Sequence, residues 1–431
     1  MTNERMGAIG KLAPQPWMKA AETRTLFKAL KAEGNEARFI GGCVRNAIVG
    51  LPVEDIDIAT TETPHRVLKL LEAANIKAIP TGIEHGTVTA VINSIHYEIT
   101  SLRIDVENHG RRATVAYTDD WVADALRRDF TINTMSSTIE GDIFDPLSGM
   151  DDLDKRRVRF VGSPKLRIEE DLLRLLRFFR FHATFGGNAV DQAAITACRR
   201  LAPRLNELSA ERVQSELFKI LEAPNPANTM ILMNNELVLK YVLPEAKNFS
   251  RLKSMDWLET NFINIDTINP DKLRRLAALL LIDEAGHAAL AKRLRLSNKQ
   301  CSRLAIMTKF ARTPVMELSQ LRRHHALYDL GADNFRDLVL LNWSQEKTIE
   351  RQNFPERTKH WLDLIDAADT WQQPIFPIKG GDAKKLGLKQ GPAVGRALGE
   401  VKSWWRHGDF QANRRQCIYQ LKQIIKSQKR Q

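Results

Sequence analysis

Two glycines and two aspartates near the N-terminus have the types and the spacing that phosphate and metal chemistry requires. Gly41 and Gly42 stand directly before a predicted helix, where backbone N–H groups can approach phosphate oxygens, and Arg45 adds a positive charge one turn later. Asp55 and Asp57 follow in a predicted strand, where alternate side chains point to the same face. Adjacent carboxylates repel each other unless a divalent cation neutralises them, and Mg²⁺ suits such oxygen ligands when a phosphate shares the coordination.

A third carboxylate would complete a site with two metal ions, in which one ion activates an attacking hydroxyl and the other holds a triphosphate. The candidate is Glu98, which lies in the alternating segment 96–100. A surface position on a strand explains Glu98 equally well, so its spacing alone leaves both interpretations open.

A second polar group lies at Arg128, Asp129 and Asn133. Asp129 and Asn133 are four residues apart, so on a predicted helix both can address one sugar, while Arg128 can reach phosphate oxygens. The alternative is a surface helix with internal ion pairs, which would be preferred without the upstream glycines and aspartates.

A third group consists of Asp171, Arg174, Arg177 and Arg180, which recur every three residues and predict a stripe along one helix face. An ionised carboxylate accepts hydrogen bonds and a guanidinium donates them. An Asp–Arg pair therefore matches the Watson–Crick edges of cytosine and adenine, whereas guanine and uracil would leave groups unpaired at about 1–3 kcal/mol each. The pattern predicts selection of C and A without a template, although an ordinary amphipathic helix with salt bridges has the same pattern.

The elements that must position these residues are of two kinds. Up to about residue 161, short β-rich segments alternate with short helical patterns, which predicts an α+β fold. After Pro164 the apolar period becomes 3.6 residues, which predicts helices almost to the C-terminus. The predicted strands are 37–40, 55–59, 86–92, 95–102 and 157–161, and a helix is predicted at 64–74.

The chain has 431 residues, which suffice for two to four domains. Its charged side chains are unevenly distributed along the sequence. The chain has 64 Lys and Arg against 52 Asp and Glu, a net charge of +12. Residues 1–160 contain 20 basic and 23 acidic side chains, a net of −3, so the remaining residues carry +15. This surplus predicts a polyanionic partner bound by the C-terminal part.

Composition also predicts the cellular location of the protein. The longest apolar run, near residues 276–282, is far shorter than the roughly 20 residues of a membrane span, and the first residues lack a secretory h-region. The four cysteines are more than 100 residues apart, which offers neither zinc-ligand spacing nor a disulfide framework. We therefore expect a cytoplasmic protein with no membrane association, and no obligate protein partner is evident.

Taken in order, the motifs resemble those of class II CCA-adding tRNA nucleotidyltransferases, members of the polymerase-beta nucleotidyltransferase superfamily. The resemblance is clear from about residue 37 to 222 and thin beyond about 235. The matching motifs are Gly41-Gly42-x-x-Arg45, Asp55-x-Asp57, Arg127-Arg128-Asp129-Phe-Thr-Ile-Asn133, Asp145-Pro-x-x-Gly149, Glu170-Asp171-x-x-Arg174-x-x-Arg177, and Glu211-Arg212-Val with Glu216-Leu217-x-Lys219.

The resemblance implies a polymerase-beta-like head with a mixed β-sheet at residues 1–160. A helical neck would follow at 161–235, and a helical body and tail that bind tRNA at 236–431. The implied activity is template-independent addition of C, C and A to the 3′ end of tRNA from CTP and ATP, with release of pyrophosphate.

The resemblance also implies roles for individual residues. Asp55 and Asp57 would bind Mg²⁺, and Glu98 would be the third catalytic carboxylate. Asp171 and Arg174 would template the base. The full set of implied or predicted nucleotide-binding residues is Gly42, Arg45, Arg128, Asp129, Asn133, Asp171, Arg174, Arg177 and Arg180.

Two features bear on the details of this resemblance. The segment 103–117, with Arg111 and Arg112, resembles the flexible loop that family members need for the switch from C to A addition. Asn46 is a departure, because many relatives have Asp there. The change removes a possible ion-pair partner and spares the groups assigned to chemistry.

Several alternatives stay open. A poly(A) polymerase shares the head motifs, but its characteristic basic-aromatic run is missing and residues 83–87 read as in CCA-adding relatives. A-only and CC-only enzymes remain, though Arg111 and Arg112 argue against a CC-only form. A non-catalytic RNA-binding protein would not need Asp55 and Asp57 intact, and a small-molecule nucleotidyltransferase would not need the +15 helical extension.

Overall fold

The computed structural model forms two compact units, and each is described by itself. The units are Met1–Pro244 and Glu245–Gln431. The residues that the structure describes are 7–109, 112–261, 265–310, 314–349 and 355–428.

The described part of the first unit contains an eight-stranded mixed sheet with the strand order β1-β10-β9-β2-β3-β6-β5-β4. Strands β3 and β6 are parallel, and the other neighbouring strands pair antiparallel. The strands are β1 (Gly10–Lys11), β2 (Ala37–Ile40), β3 (Ile56–Thr60), β4 (Lys77–Gly82), β5 (Thr87–Ile92), β6 (Ile95–Ser101), β9 (Ser136–Ser137) and β10 (Asp142–Phe144).

A separate antiparallel ribbon consists of β7 (Arg103–His109) and β8 (Arg112–Tyr117). The ribbon lies within residues 103–117, the segment that resembles the loop for the switch from C to A addition. Gly110 and Arg111, which belong to that prediction, lie outside the described residues.

The described part of the first unit also contains helices, of which α3, α4 and α5 contact strands. Helix α4 shows why they form: Pro64 occupies its first position, where its missing N–H costs nothing, and Val67, Leu70 and Leu71 form its buried face. The helices are α1 (Pro16–Lys19), α2 (Ala21–Leu30), α3 (Gly42–Ile48), α4 (Pro64–Ala73), α5 (Trp121–Leu126), α6 (Gly149–Asp154), α7 (Pro164–Glu170), α8 (Leu173–Phe185), α9 (Gln192–Leu201), α10 (Ala210–Glu222), α11 (Pro226–Asn235) and α12 (Leu239–Val242), with 3₁₀ turns at Ile83–His85, Thr131–Asn133 and Ala202–Glu207.

The described part of the second unit is helical, apart from an isolated bridge between Ala246 and Leu280. None of the described helices is long and apolar enough to cross a membrane. The helices are α13 (Phe249–Asn261), α14 (Lys272–Leu279), α15 (Glu284–Arg293), α16 (Asn298–Phe310), α17 (Gln320–Leu330), α18 (Ala332–Ile349), α19 (Pro355–Asp369), α20 (Gly380–Lys385), α21 (Pro392–His407) and α22 (Arg414–Gln428), with a 3₁₀ turn at Val315–Glu317.

Charged side chains are buried in the core of the second unit. Arg274 donates from Nε to Glu259 Oε1 at 2.7 Å and from Nη1 to Asp337 Oδ1 at 2.9 Å. Arg275 donates to the other oxygen of Glu259. Glu259 is 0% exposed and Arg275 1%, so these ions depend on each other to replace the hydration that folding removes.

The predicted fold class, an α+β head followed by helices, is confirmed. The strand predicted at 157–161 is wrong, because only Phe160 forms a bridge there, to Phe130. Arg157 and Arg159 instead turn their side chains to the buried carboxylate of Asp152. The division into head, neck and tail regions stays a prediction; along the chain, the boundary between the two compact units falls between Pro244 and Glu245.

Candidate active site

The predicted carboxylates lie on two adjacent parallel strands. Glu98 on β6 is the register partner of Asp57 on β3. Ile56 and Ile58 are buried on the opposite side of β3, which fixes the direction of the Asp57 side chain. Asp55 was predicted inside the strand, but β3 begins at Ile56, so Asp55 stands immediately before it.

The electrostatics of Asp57 match a cation site. Burial, together with the negative charges of Glu98 and Asp55, raises the pKa of the Asp57 carboxyl to about 6, and the positive charges of Arg128 and Arg45 oppose this rise. A bound cation would remove this penalty because it stabilises the ionised form. The donors are all carboxylate oxygens, which are the ligands Mg²⁺ prefers.

The number of protein ligands is limited. Among the described residues, no group of three or more His, Cys, Asp or Glu side chains converges closely enough to hold an ion. Glu98 places its negative charge beside Asp57. The arrangement fits a magnesium ion held by Asp55 and Asp57 that keeps water or substrate oxygens as its other ligands, which is the ordinary behaviour of Mg²⁺.

The turn between β2 and α3 requires glycine. Gly41 has a φ of +72°, in the left-handed region that other residues avoid. A Cβ there would lie 3.6 Å from both Arg128 Nη1 and the carbonyl oxygen of Asn133. Gly42 begins α3, and a Cβ on it would lie 3.8 Å from Arg45 Nη2. Both predicted glycines thus lie beside the predicted arginines.

Arg45 is buried, at 8% exposure, and its hydrogen bonds go to amide side chains. Its Nη2 donates to Asn46 Oδ1 at 2.8 Å, and its Nη1 donates to Asn133 Oδ1. Asn46 in turn donates from Nδ2 to the carbonyl of Pro52. The departure from Asp at position 46 thus leaves an acceptor for Arg45 but removes its negative charge.

The helix predicted through Asp129 and Asn133 is wrong. Thr131–Asn133 is a 3₁₀ turn that follows extended backbone at Phe130. Asp129 Oδ1 accepts from the Phe130 N–H at 2.9 Å and from Asn133 Nδ2 at 3.0 Å. Such local side-chain bonds compete with helix formation. The two side chains are nevertheless in contact, as the prediction required.

Arg177 and Arg128 both have carboxylate partners. Arg177 Nε donates to Asp129 Oδ2 at 2.7 Å. Burial opposes ionisation of Asp129, but the charge of Arg177 prevails and keeps the pKa of that carboxyl below its usual range. Arg128 lies 3.0 Å from the buried Asp124, Nη2 to Oδ2. A phosphate bound by Arg128 must therefore share the Arg128 guanidinium with the carboxylate of Asp124.

The continuous helical stripe predicted from Asp171 to Arg180 is interrupted at its first residue. Helix α7 ends at Glu170, and Asp171 is extended, with φ −149° and ψ 108°. Its Oδ1 accepts from the Leu173 N–H at 3.1 Å, so Asp171 caps the start of α8. The three arginines of the stripe then follow along α8 at every third residue.

Asp171 and Arg174 each bind another partner. Asp171 accepts from Arg212 Nη2 on α10, at 3.0 Å to Oδ1 and 2.9 Å to Oδ2. Arg174 donates from Nη1 to Glu170 Oε2. Arg212 was not among the predicted site residues, although it stands inside the matching Glu211-Arg212-Val motif and binds Asp171. The sequence did offer a signal for Arg212, because its motif matches the family although no role was assigned to it.

Family models match two parts of the chain. Residues 37–159 match the model described as "Poly A polymerase head domain". Residues 189–250 match the model described as "Probable RNA and SrmB- binding site of polymerase A". The first span includes the carboxylates, the glycine turn and Asp129.

Curated relatives match over most of their length. The chain is 31% identical over 392 residues to the Danio rerio protein named "CCA tRNA nucleotidyltransferase 1, mitochondrial", covering 90% of this chain and 87% of the relative. It is 30% identical over 421 residues to the Homo sapiens protein of that name, covering 93% and 89%. It is 29% identical over 395 residues to the "CCA-adding enzyme" of Streptococcus pneumoniae, covering 90% and 94%.

Solved structures share the fold. The Bacillus stearothermophilus CCA-adding enzyme in complex with CTP has a TM-score of 0.75 at 24% identity, covering 96% of this chain and 99% of that one. The Thermotoga maritima CCA-adding enzyme complexed with tRNA has a TM-score of 0.62 at 18% identity, covering 94% of both chains.

Proposed function

We propose, since this chain belongs to the family of class II CCA-adding tRNA nucleotidyltransferases, that it adds C, C and A in turn to the 3′ end of tRNA, using CTP and ATP and releasing pyrophosphate. One observation carries the proposal at the site. Asp57 lies beside Glu98, and its ionisation responds to Arg128 and Arg45 as well. Carboxylates for a cation and guanidinium groups for a triphosphate therefore occur together.

The proposed catalytic set consists of Asp55, Asp57 and Glu98. Nucleotidyltransferases of this kind use a divalent metal, and we assign it here as Mg²⁺ held by Asp55 and Asp57. When bound, it would lower the pKa of the attacking 3′-hydroxyl and offset charge on the triphosphate. Glu98, opposite Asp57, adds negative charge that favours cation binding.

The nucleotide is proposed to bind between the glycine turn and α8. Gly42 permits close approach of the backbone, and Arg45, Arg128 and Arg180 supply positive charge for the phosphates. Arg177 is held by Asp129, and Asn133 joins Asp129 to Arg45.

Base choice is assigned to Asp171 and Arg174. In the structure their partners are Arg212 and Glu170, so an incoming base must replace or share these contacts. A base that offers a donor to Asp171 and acceptors to Arg174 satisfies both. A base of reversed polarity presents an acceptor to Asp171 and a donor to Arg174. It forms neither hydrogen bond and leaves both charged groups unpaired.

We also propose tRNA as the macromolecular partner and the cytoplasm as the location. The net charge of +15 beyond residue 160 supports a polyanion, and the Thermotoga maritima structure is a complex with tRNA. The four cysteines are free thiols, which suits a reducing compartment. Detection of the protein in an organelle fraction alone would contradict the location.

The experiment that tests the function offers tRNA lacking its terminal CCA with CTP alone, with ATP alone, or with both, and resolves products to one nucleotide. We expect addition of two residues with CTP and of three with both, and no further growth. A long A tail would instead identify a poly(A) polymerase. Addition that ends at two residues with both nucleotides would identify a CC-only enzyme, and an A-only enzyme would add nothing in any of the three reactions.

Acid should weaken magnesium binding. Because the pKa of Asp57 is about 6 without the ion, protons compete with Mg²⁺ below that pH, and affinity should fall by about tenfold per pH unit. The raised folded pKa also means that the metal-free protein loses stability as pH rises from the ordinary value of 3.8 through about 6. Mg²⁺ should therefore stabilise the protein against heat more at pH 7.5 than at pH 5.

Thermal unfolding with and without Mg²⁺ across this pH range measures the effect. Asp57→Asn is the matched variant, since it cannot titrate, and its response to Mg²⁺ should be small at every pH. Equal stabilisation of the wild type at pH 5 and pH 7.5 would show that Asp57 does not bind the ion.

Replacing Arg212 should loosen base choice. Arg212→Gln removes two charge-assisted hydrogen bonds that orient the Asp171 carboxylate. We expect the preference for CTP over UTP, as a ratio of kcat/KM, to fall by about tenfold, the equivalent of about 1.4 kcal/mol. Arg204→Gln removes an exposed ion pair with Glu207 and is the control. An unchanged CTP preference in Arg212→Gln would exclude this role.

A further inference from the structure

The ring of Phe181 lies against three guanidinium groups. Their central carbons are 5.0 Å from the ring centroid for Arg45, 5.4 Å for Arg177 and 4.4 Å for Arg180. The ring is 6% exposed. Arg45 reaches it from α3, whereas the other two arginines stand on α8 with Phe181 itself. The ring is therefore the point at which basic groups from two helices meet.

Three positive groups around one ring repel each other. Burial, together with the positive charges of Arg180 and Arg177, lowers the pKa of the Arg45 guanidinium to about 10, although the charge of Asp129 opposes this. Burial and Arg177 likewise lower the pKa of Arg180, although Glu216 opposes them. Such a cluster is costly without an attractive surface between its members.

Carboxylates compensate only part of this charge. Arg177 is paired with Asp129, and Arg180 Nε lies 3.1 Å from Glu216 Oε2. Arg45 donates hydrogen bonds to the side chains of Asn46 and Asn133, which are neutral. The cluster therefore retains a surplus positive charge at Arg45, which suits an incoming polyanion.

An aromatic ring can hold such groups because its face carries partial negative charge. A guanidinium close to the ring is attracted by this charge, and more strongly where water is excluded. The ring is also rigid, so it fixes the spacing between the arginines in a way that a flexible aliphatic side chain cannot. Phe185, whose centroid is 4.4 Å from Arg45, supports that arginine from a second side.

We infer that Phe181 is a positioning residue of the nucleotide site, whose ring assembles Arg45, Arg177 and Arg180 into one triphosphate-binding cluster. The inference rests on the proposed function in that it takes the triphosphate of CTP or ATP as the ligand. Phe181 itself does not bind the nucleotide. It acts through the three arginines, so its removal should affect phosphate affinity and leave base choice to Asp171 and Arg174.

The test measures binding of inorganic tripolyphosphate by calorimetry, without tRNA or turnover. We expect Phe181→Leu to weaken this binding by about tenfold, and to raise KM for CTP and ATP by a similar factor. The ratio of kcat/KM for CTP over UTP should not change. Because the probe contains no base and the assay no tRNA, its outcome is independent of whether the protein adds CCA.

Phe179→Leu is the matched control. Phe179 is 0% exposed on the same helix, and its ring packs edge-on against Phe178. The same atoms are removed from the core, so both variants should lose comparable stability, but Phe179→Leu should bind tripolyphosphate like the wild type. Equal losses of affinity in the two variants would mean that general packing, and not the ring face, supports the site.

Fluorination separates the ring's charge from its shape. Incorporating a fluorinated phenylalanine series at position 181 keeps the volume but progressively weakens the negative face, so folding is preserved even where Phe181→Leu unfolds. Tripolyphosphate affinity should decline stepwise with the number of fluorines. Constant affinity across the series, or wild-type affinity in a folded Phe181→Leu protein, would overturn the inference.

Discussion

Asp55→Ala should abolish nucleotide incorporation while tRNA binding stays intact. Asp55 and Asp57 are the only two protein ligands proposed for Mg²⁺, so removing one should cost most of the metal's contribution to transition-state stabilisation. That contribution is several kcal/mol, and each 1.36 kcal/mol is about tenfold, so we expect a loss of about 10³-fold or more in kcat. The assay is single-turnover incorporation of CTP into tRNA lacking CCA.

tRNA affinity should not fall in this variant, because phosphate contacts depend on the basic residues and not on the catalytic carboxylates. A filter-binding titration at two salt concentrations checks this. Asp154→Ala, which changes an exposed aspartate of the same unit, controls for the altered net charge. Normal turnover by Asp55→Ala would reject the metal assignment, and lost tRNA binding would show that Asp55 has another role.

Glu259→Ala should produce the largest loss of stability in the second unit. The variant leaves Arg274 and Arg275 buried without the carboxylate that both of them bind. Arg274 keeps Asp337 and Arg275 keeps Asp256, but each buried guanidinium loses one carboxylate partner. Breaking a buried ion pair by removing one partner typically costs about 3–5 kcal/mol. Burial already raises the pKa of Glu259 despite both arginines, which shows how strongly this core penalises charge.

Urea unfolding followed by tryptophan fluorescence measures this effect, since six of the eight tryptophans lie beyond residue 244. The control is Asp333→Ala, which removes an ion pair with Arg336 at 2.9 Å whose carboxylate is 92% exposed. Exposed pairs contribute about 0–1 kcal/mol, so this variant should unfold almost like the wild type. Similar midpoints for Glu259→Ala and the wild type would contradict the proposed dependence of the core on these ions.

Local patterns in the sequence predicted most elements of the head. The strand at 37–40 and the helix that starts at Pro64 follow from apolar periodicity and from the proline, and both occur as predicted. Glu98 was different, because its spacing fits a surface strand equally well. Strand pairing is a long-range property, and only the register of β3 against β6 places Glu98 opposite Asp57.

The errors also have physical causes that spacing does not reveal. Asp129 accepts from the Phe130 N–H, from the side-chain amide of Asn133 and from the distant Arg177, and a turn forms in place of the predicted helix. Asp171 likewise ends one helix and caps the next, and its partner Arg212 is 41 residues away. In both cases the backbone predicted around the carboxylate was wrong, while its assignment to the nucleotide site stays a prediction.

The central claim is that the site accepts C and A and adds a single CCA without a template. The most direct test of this claim supplies all four nucleoside triphosphates together. The substrates are tRNAs that end before CCA, after its first C, after its second C, and after its final A, and each product is sequenced. We predict that the first three converge on one CCA terminus without G or U, and that the fourth is not extended. Incorporation of G or U at rates comparable to C and A, or continued growth beyond the terminal A, would contradict the account.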